Sequence, residues 1–220
     1  MSASWACTSP ASPDPESEAG GLILLASGSP RRRELLGLLG VPFRVVVPDV
    51  PEGADPLENA RAKAWAVAGR EGVPAGGAVL GGDTEVLLDG VALGKPADAA
   101  DARRILTALG GRSHVVETSM VLVTAAGESV VRDRATVHIR PTRDDVIDWY
   151  LGTGEWHDRA GAYAIQGAGA VLVEFIEGHP STVIGLGLPA LTAMLDDAGL
   201  APWGVAPPYS VDDPGPEGDT

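Results

Sequence analysis

Apolar and polar positions switch between two periods along this chain, and the switches outline its elements. Leu22 to Ala26 is an unbroken apolar run, the pattern of a strand buried on both faces. Ser27-Gly28-Ser29-Pro30 interrupts it. A helix is predicted from Pro30 to Leu39, with Ser29 suited to the N-cap, Pro30 to the first turn and Gly40 to the residue beyond the end. Phe43 to Val47 reads as a strand, residues 57–69 as an Ala-rich helix and Ala78 to Leu88 as a long strand. Asp89-Gly90 is a type I′ hairpin signal, so Val91 to Gly94 is expected to return antiparallel.

Over residues 98–109, Ala102, Ile105, Leu106 and Leu109 fall on one helical face, and Gly110-Gly111 follows. His114 to Val123 and Val130 to Ile139 are β-rich runs around a turn at Ala126-Gly127-Glu128. Thr142 is expected to cap a helix to Leu151, with Asp144 and Asp145 in its favourable first turn. Ala162 to Ile165 and Val171 to Ile176 read as strands around Gly167-Ala168-Gly169. Pro189 opens a last helix to Ala198, closed by Gly199. Hairpins mixed with helices imply an α/β fold with a mixed sheet and flanking helices, not a regular βαβ repeat. No internal repeat and no Walker-type or dinucleotide-type glycine loop occurs.

Composition changes the picture at the ends. Residues 1–20 and 201–220 are rich in Pro, Ser, Gly and acids and offer little to bury, so both are expected to be disordered tails around a body at 21–200. Trp203 and Tyr209 could tack the second tail to the body or stay free. Three acids in the first tail and four in the second, with no Lys or Arg in either, carry half of the net charge of −14. That charge disfavours nonspecific nucleic-acid binding and binding to an anionic membrane. A single cysteine, Cys7, excludes a disulfide framework and a cysteine-based zinc site. The four histidines are scattered, with no H-x-x-x-H pair. No apolar stretch is long enough to span a membrane and no signal peptide opens the chain, so a cytoplasmic location is expected.

Three stretches could carry chemistry. Ser27-Gly28-Ser29-Pro30-Arg31-Arg32-Arg33 leads from a strand end into a helix N-terminus, where free N–H groups and the macrodipole favour an anion. Three arginines there oppose the dipole unless an anion binds; the alternative is a solvated basic turn paired with acids such as Glu34. Second, Gly82-Asp83-Thr84 precedes Gly94-Lys95-Pro96. A two-residue turn at Asp89-Gly90 sets Thr84 opposite Lys95 and so brings Lys95 beside Asp83, either as phosphoryl-transfer machinery or as a plain cross-strand ion pair. Third, small residues flank Gln166, whose amide suits a nucleobase edge; the alternative is a glycine-rich hairpin with a structural Gln. Lys63 on a helix reads locally as solvated, and Glu52 either helps to hold a metal or is an exposed loop acid.

Together these stretches resemble the Maf family of nucleoside triphosphate pyrophosphatases. The similarity runs over residues 22–198 through Leu25-Ala26-Ser27-Gly28-Ser29-Pro30-Arg31-Arg32-Arg33-Glu34-Leu35-Leu36, Gly82-Asp83-Thr84, Leu93-Gly94-Lys95-Pro96, Leu109-Gly110-Gly111-Arg112-Ser113-His114 and Ala160-Gly161-Ala162-Tyr163-Ala164-Ile165-Gln166-Gly167, in family order. The resemblance implies an elongated ITPase-like fold with a central cleft, a divalent cation (Mg2+ or Mn2+), a nucleoside triphosphate substrate and a homodimer. It implies cleavage between the α and β phosphates, with Asp83 as proton acceptor and Lys95 beside it as a catalytic residue. Ser27, Arg32, Lys63 and Lys95 would bind phosphates, and Arg31, Thr84 and Gln166 match the positions linked to choice of base, in the combination of the dTTP and UTP branch.

This chain departs from the family pattern in places. Gly82 replaces the usual Ala, Asn59 stands where an Arg often precedes the Lys by four residues, and the segment from Glu52 to Lys63 is short. Arg159 replaces a frequent Lys, and Gly185-Leu186-Gly187-Leu188-Pro189 carries two extra residues, expected in a loop. Two other activities fit the same motifs: a non-catalytic nucleotide-binding regulator of cell division, and an enzyme acting on another phosphoanhydride such as a modified purine triphosphate.

Overall fold

The computed structural model describes residues 21–204. Cys7, Tyr209 and nearly all of both expected tails lie outside the described residues; Trp203, within a short 3-10 turn at Pro202–Gly204, is exposed.

The apolar run at the start of the body is strand β1 (Ile23–Ala26), buried at every residue. Alternation explains why. Ile23 and Leu25 face a layer made by α1 (Pro30–Gly37) and α6 (Leu188–Asp197), where Leu35, Leu36, Leu191 and Leu195 are buried. Leu24 and Ala26 face the opposite layer, under Ala60, Ala64 and Val67 of α2 (Pro56–Glu71). A strand covered on both faces has no polar side to show. Helix α2 is longer than expected, because Asp55 accepts the Leu57 N–H at 2.8 Å and so caps it one residue early, while Gly72 (φ 76°) ends it.

Seven strands form one mixed sheet in the order β2-β1-β3-β5-β6-β7, with β4 also on β3. Strand β2 (Phe43–Val45) lies parallel to β1 at the edge. The long strands β3 (Ala78–Leu88), β5 (Ser113–Thr124) and β6 (Gly127–Ile139) run antiparallel through both halves of the molecule. In the far half, α3 (Ala99–Leu109) buries Ala102, Ile105, Leu106 and Leu109 with Ile147 and Tyr150 of α4 (Asp144–Gly152). Strand β7 (Val173–Glu177) pairs with β6, and α5 (Pro180–Ile184) follows it.

The positioning feature is a change of partner along one edge of β3. Its first half pairs in parallel with β1, from Ala78 to Gly81. Its end pairs antiparallel with β4 (Val91–Ala92), across the Asp89-Gly90 turn whose φ values of 52° and 80° are those of type I′. The last rung toward the middle is Leu93 N–H to Val86 O, at 2.9 Å. Residues 82–85 therefore have no strand on that edge, while β5 covers the other edge throughout. The C-terminal ends of β1, parallel to β3, and β4, antiparallel to it, approach this gap from opposite directions and leave the sheet there, which makes room for a cleft.

Four expectations are corrected. The hairpin stops before it carries Lys95 opposite Thr84: Gly94 (φ 64°) turns the chain away, and its carbonyl takes the Gly161 N–H at 2.9 Å. Residues 162–165 are not a strand, since Gly161 and Ala162 adopt left-handed φ values of 74° and 59° within a 3-10 turn at Ala160–Ala162. Thr142 does not cap α4; its hydroxyl donates to Arg140 O and Arg143 takes the cap position. The segment Gly185-Leu186-Gly187 is the expected loop, linking α5 to α6, with Leu186 fully buried in it. The β5–β6 turn falls at residues 125–126, one position early, as Thr124 pairs with Gly127.

Candidate active site

Where β3 lacks a partner, a cavity of about 900 Å³ opens, lined by Ser27, Arg31, Arg32, Lys63, Asp83, Thr84, Lys95 and Gln166. These come from five separate stretches, so the fold brings together every residue singled out for the site. Glu52 and Arg159 line it as well.

Arg32 holds one wall. Helix α1 starts at the end of β1, so its first turn points across the gap in the sheet. The side chain is 9% exposed and bridges three elements: Nε donates to Gly185 O at 2.9 Å, Nη1 to Ser27 Oγ at 3.3 Å and Nη2 to Thr84 Oγ1 at 3.0 Å. Only glycine suits position 185, where φ is 124° and an added Cβ would lie 3.3 Å from Thr84 Oγ1. Gly82 gives Arg32 similar room, with Nε 3.2 Å from where a Cβ would stand. Burial lowers the Arg32 pKa, nearby Asp83 opposes that shift, and burial likewise lowers Arg31. Guanidinium groups remain charged at neutral pH regardless.

Beyond Arg32 the hydrogen bonds run in one direction. Thr118 donates to Thr182 O at 2.7 Å, so it must accept from Thr84 at 2.9 Å, and Thr84 in turn accepts from Arg32. The Thr84 proton is committed. Thr84 can therefore only accept from a ligand, through its remaining lone pair.

The opposite wall is a carboxylate pair around one ammonium. Lys63 Nζ lies 2.8 Å from Asp83 Oδ1 and 2.6 Å from Glu52 Oε1, and the lysine is 6% exposed. It is not the solvated helical lysine of the local reading, and Glu52, exposed on its loop as one alternative had it, is paired with this lysine. Asp83 Oδ2 accepts from Asn59 Nδ2 at 2.9 Å. Lys63, not Lys95, is thus the ammonium beside Asp83; Lys95 is exposed on the cavity rim.

The Gln166 segment forms the third side. Its irregular backbone is satisfied from outside: Tyr150 Oη accepts the Ala164 N–H at 3.2 Å, and the Glu155 carboxylate accepts those of Ala168 and Gly169 at 2.7 and 3.1 Å. Tyr163 is fixed by His114 Nε2 at 2.7 Å. Burial, then His138, depresses the His114 pKa to about 4, so the ring is neutral at pH 7. The unfolded chain, with an ordinary histidine, then binds the proton first. Stability is present above pH 6.5 and is expected to fall by up to about 1.4 kcal/mol per pH unit between about 6.5 and 4. Thermal melts of His114→Asn should show a shallower fall of Tm over that range than the unchanged chain.

Two parts of the site escaped the sequence reading. Asn59 is one; it precedes Lys63 by one helical turn, so their shared face was available as a signal. The other lies behind the site. Buried Glu117 receives Arg132 at 2.7 Å and Arg134 at 2.6 Å, and Arg132 also grips Asp55 at the start of α2. Burial raises the Glu117 pKa, but the two arginines outweigh it and hold the carboxyl below its ordinary value. Glu85, opposite Glu117 on β3, is raised by burial and by that neighbour.

For a divalent cation the donor set is small. Among the described residues no group of three His, Cys, Asp or Glu side chains is placed to hold one. The carboxylates of Glu52 and Asp83 do converge on Lys63. That fits Mg2+, which is commonly held by one or two carboxylates plus substrate phosphates, better than an all-protein cage.

A mixed α/β sheet opened at a change of partner, with a buried guanidinium on one wall and an ammonium held by two carboxylates on the other, defines a cleft that sets cations and carboxylates side by side. The chain belongs to the Maf family: the "Maf-like protein" pattern matches residues 22–198. It is 45% identical over 185 residues to a dTTP/UTP pyrophosphatase of Symbiobacterium thermophilum, covering 80% of this chain and 94% of the relative. A dTTP/UTP pyrophosphatase of Thermus thermophilus is 45% identical over 183 residues, covering 82% and 96%. Among solved structures, a HAM1 protein from Coxiella burnetii is similar at 19% identity and a TM-score of 0.49, over 80% of this chain and 98% of that one.

Proposed function

We propose that this protein hydrolyses dTTP and UTP to the monophosphate and pyrophosphate. The observation that carries the reading is the convergence of Arg32, Lys63 and Asp83 on the unpaired stretch of β3. In this reading Asp83 accepts a proton from water as the oxygen of that water bonds to the α-phosphorus. The bond from that phosphorus to the α–β bridging oxygen breaks, and pyrophosphate leaves with the bonding pair. Arg31, Arg32, Lys63, Lys95 and the Ser27 hydroxyl bind the phosphates, and the cations offset charge developing on the leaving group. Glu52 and Asp83 would hold the divalent cation that enters with the triphosphate, and this ion adds further positive charge there. Arg31, Thr84 and Gln166 set the choice of base, Thr84 only as an acceptor and Gln166 as donor and acceptor.

The test is pyrophosphate release from a panel of nucleoside triphosphates, with Mg2+ and with Mn2+. Turnover should be highest with dTTP and UTP. Tight nucleotide binding without release would mark a nucleotide-binding regulator instead, and preference for a modified purine triphosphate would remove Thr84 and Gln166 from base selection. Lys95→Ala should lose at least about tenfold in kcat/KM for UTP, about 1.4 kcal/mol. An unchanged value would take Lys95 out of the site.

A further inference from the structure

Asn59 is 7% exposed, and its amide is used at both ends. Oδ1 accepts the Gly53 N–H at 2.6 Å. Nδ2 donates to Gly53 O at 3.0 Å and to Asp83 Oδ2 at 2.9 Å. The paired bonds to Gly53 pin the residue next to Glu52, and Glu52 reaches Lys63 at 2.6 Å. One helix face therefore supplies a donor to each oxygen of Asp83, Lys63 to Oδ1 and Asn59 to Oδ2, and also anchors the loop that delivers Glu52.

We infer that Asn59 is a positioning residue of this chain: its amide, itself fixed by the paired bonds to Gly53, sets the rotation of the Asp83 carboxylate. The inference rests on the pyrophosphatase reading of the same cleft. A carboxylate held at both oxygens cannot turn about its Cβ–Cγ bond. Held by Lys63 alone, it can swing and take the water it orients with it. The amide achieves this without adding a charge to a site that already holds Lys63 between two carboxylates. Small misplacements of a reacting group cost large factors in rate, of order a hundredfold for about 1 Å.

The experiment measures UTP turnover by Asn59→Leu, Asn59→Asp, Asp83→Asn and the double variant Asn59→Leu/Asp83→Asn. Asn59→Leu should lower kcat by about 10- to 100-fold with KM within about threefold, because it disturbs the reacting geometry and not the phosphate contacts. On the Asp83→Asn background the same change should alter the residual rate by less than about twofold, since a residue acting through Asp83 has nothing left to position. A full second loss in the double variant would show that Asn59 acts independently and would overturn the inference. Asn59→Asp keeps the shape and guards against misfolding of the Leu variant. It removes both donors and faces Asp83 with a second carboxylate, so its kcat should fall at least as far. Wild-type kcat in either folded variant overturns the proposal. The unchanged chain is the control for the reading beneath it: no turnover of any triphosphate there sinks both, whereas normal turnover with indifferent Asn59 variants sinks this one alone.

Discussion

Asp83→Asn is expected to lower kcat for UTP by about a thousandfold while nucleotide binding stays within a few-fold of the unchanged chain. Removing a general base costs about 10²–10⁴ in rate. The surroundings of this side chain place the effect in the upper part of that range. Asp83 accepts from Lys63 on one oxygen and from Asn59 on the other. An asparagine there has a single acceptor oxygen, so in either orientation its NH2 faces one of those donors. The variant side chain must rotate away, and the attacking water loses both its proton acceptor and its fixed position. Binding survives because Lys63 keeps Glu52 as a partner and its charge remains available to phosphate. Single-turnover kinetics with calorimetric binding of a non-hydrolysable UTP analogue separate the two effects. A variant that turns over UTP at the normal rate removes Asp83 from the chemistry.

The sequence made local structure legible wherever one residue type forces one geometry. Asp89-Gly90 dictated a type I′ turn, the apolar face of α3 dictated its burial, and the unbroken run of β1 dictated a strand covered on both sides. Most candidate residues were legible as well, since all but Lys63 lie in a short motif. How they meet was not. Pairing register continued past Leu93 sets Lys95 opposite Thr84, beside Asp83, but β4 ends after two residues because a left-handed Gly94 cannot extend it. Lys63 reaches Asp83 only through the packing of α2 on β3, a contact that joins residues 20 positions apart and leaves no periodic trace. The 159–167 segment misled for a different reason. Its small apolar residues suit a strand, yet its backbone is bent by two left-handed residues and held by Tyr150 and Glu155, which belong to other segments. Helix α5 was invisible because five residues are too few to show a period.

Arg32→Met should abolish the thermal stabilisation that pyrophosphate and nucleotide give this protein, while leaving the ligand-free Tm within a few degrees of the unchanged chain. Arg32 is a buried cation whose hydrogen bonds all go to neutral oxygens, those of Gly185, Ser27 and Thr84. It also stands in the first turn of α1, where the macrodipole is positive and Arg31 adds like charge, and the carboxylates of Asp83 and Glu52 oppose this without bonding to it. Burying such a group is costly, and the three bonds recover only part of that cost. Replacing it with an apolar chain of similar length gives up those bonds but also removes the desolvated charge, so the two effects nearly cancel in the free protein. With a polyanion bound they no longer cancel. A ligand at about a hundred times its Kd stabilises the folded state by about 2.7 kcal/mol, a shift of roughly 5–10 °C for a domain of this size. Scanning calorimetry with and without pyrophosphate reads that shift directly, and kcat/KM for UTP should fall by at least about a thousandfold in parallel, about 4 kcal/mol. An Arg32→Met protein that still gained the full shift from pyrophosphate would show that the phosphates are held elsewhere. One that unfolded outright would show that the guanidinium is there to join β1, β3 and α5. The expected pattern instead makes Arg32 a charge kept in an unfavourable place because the anion that relieves it is the substrate.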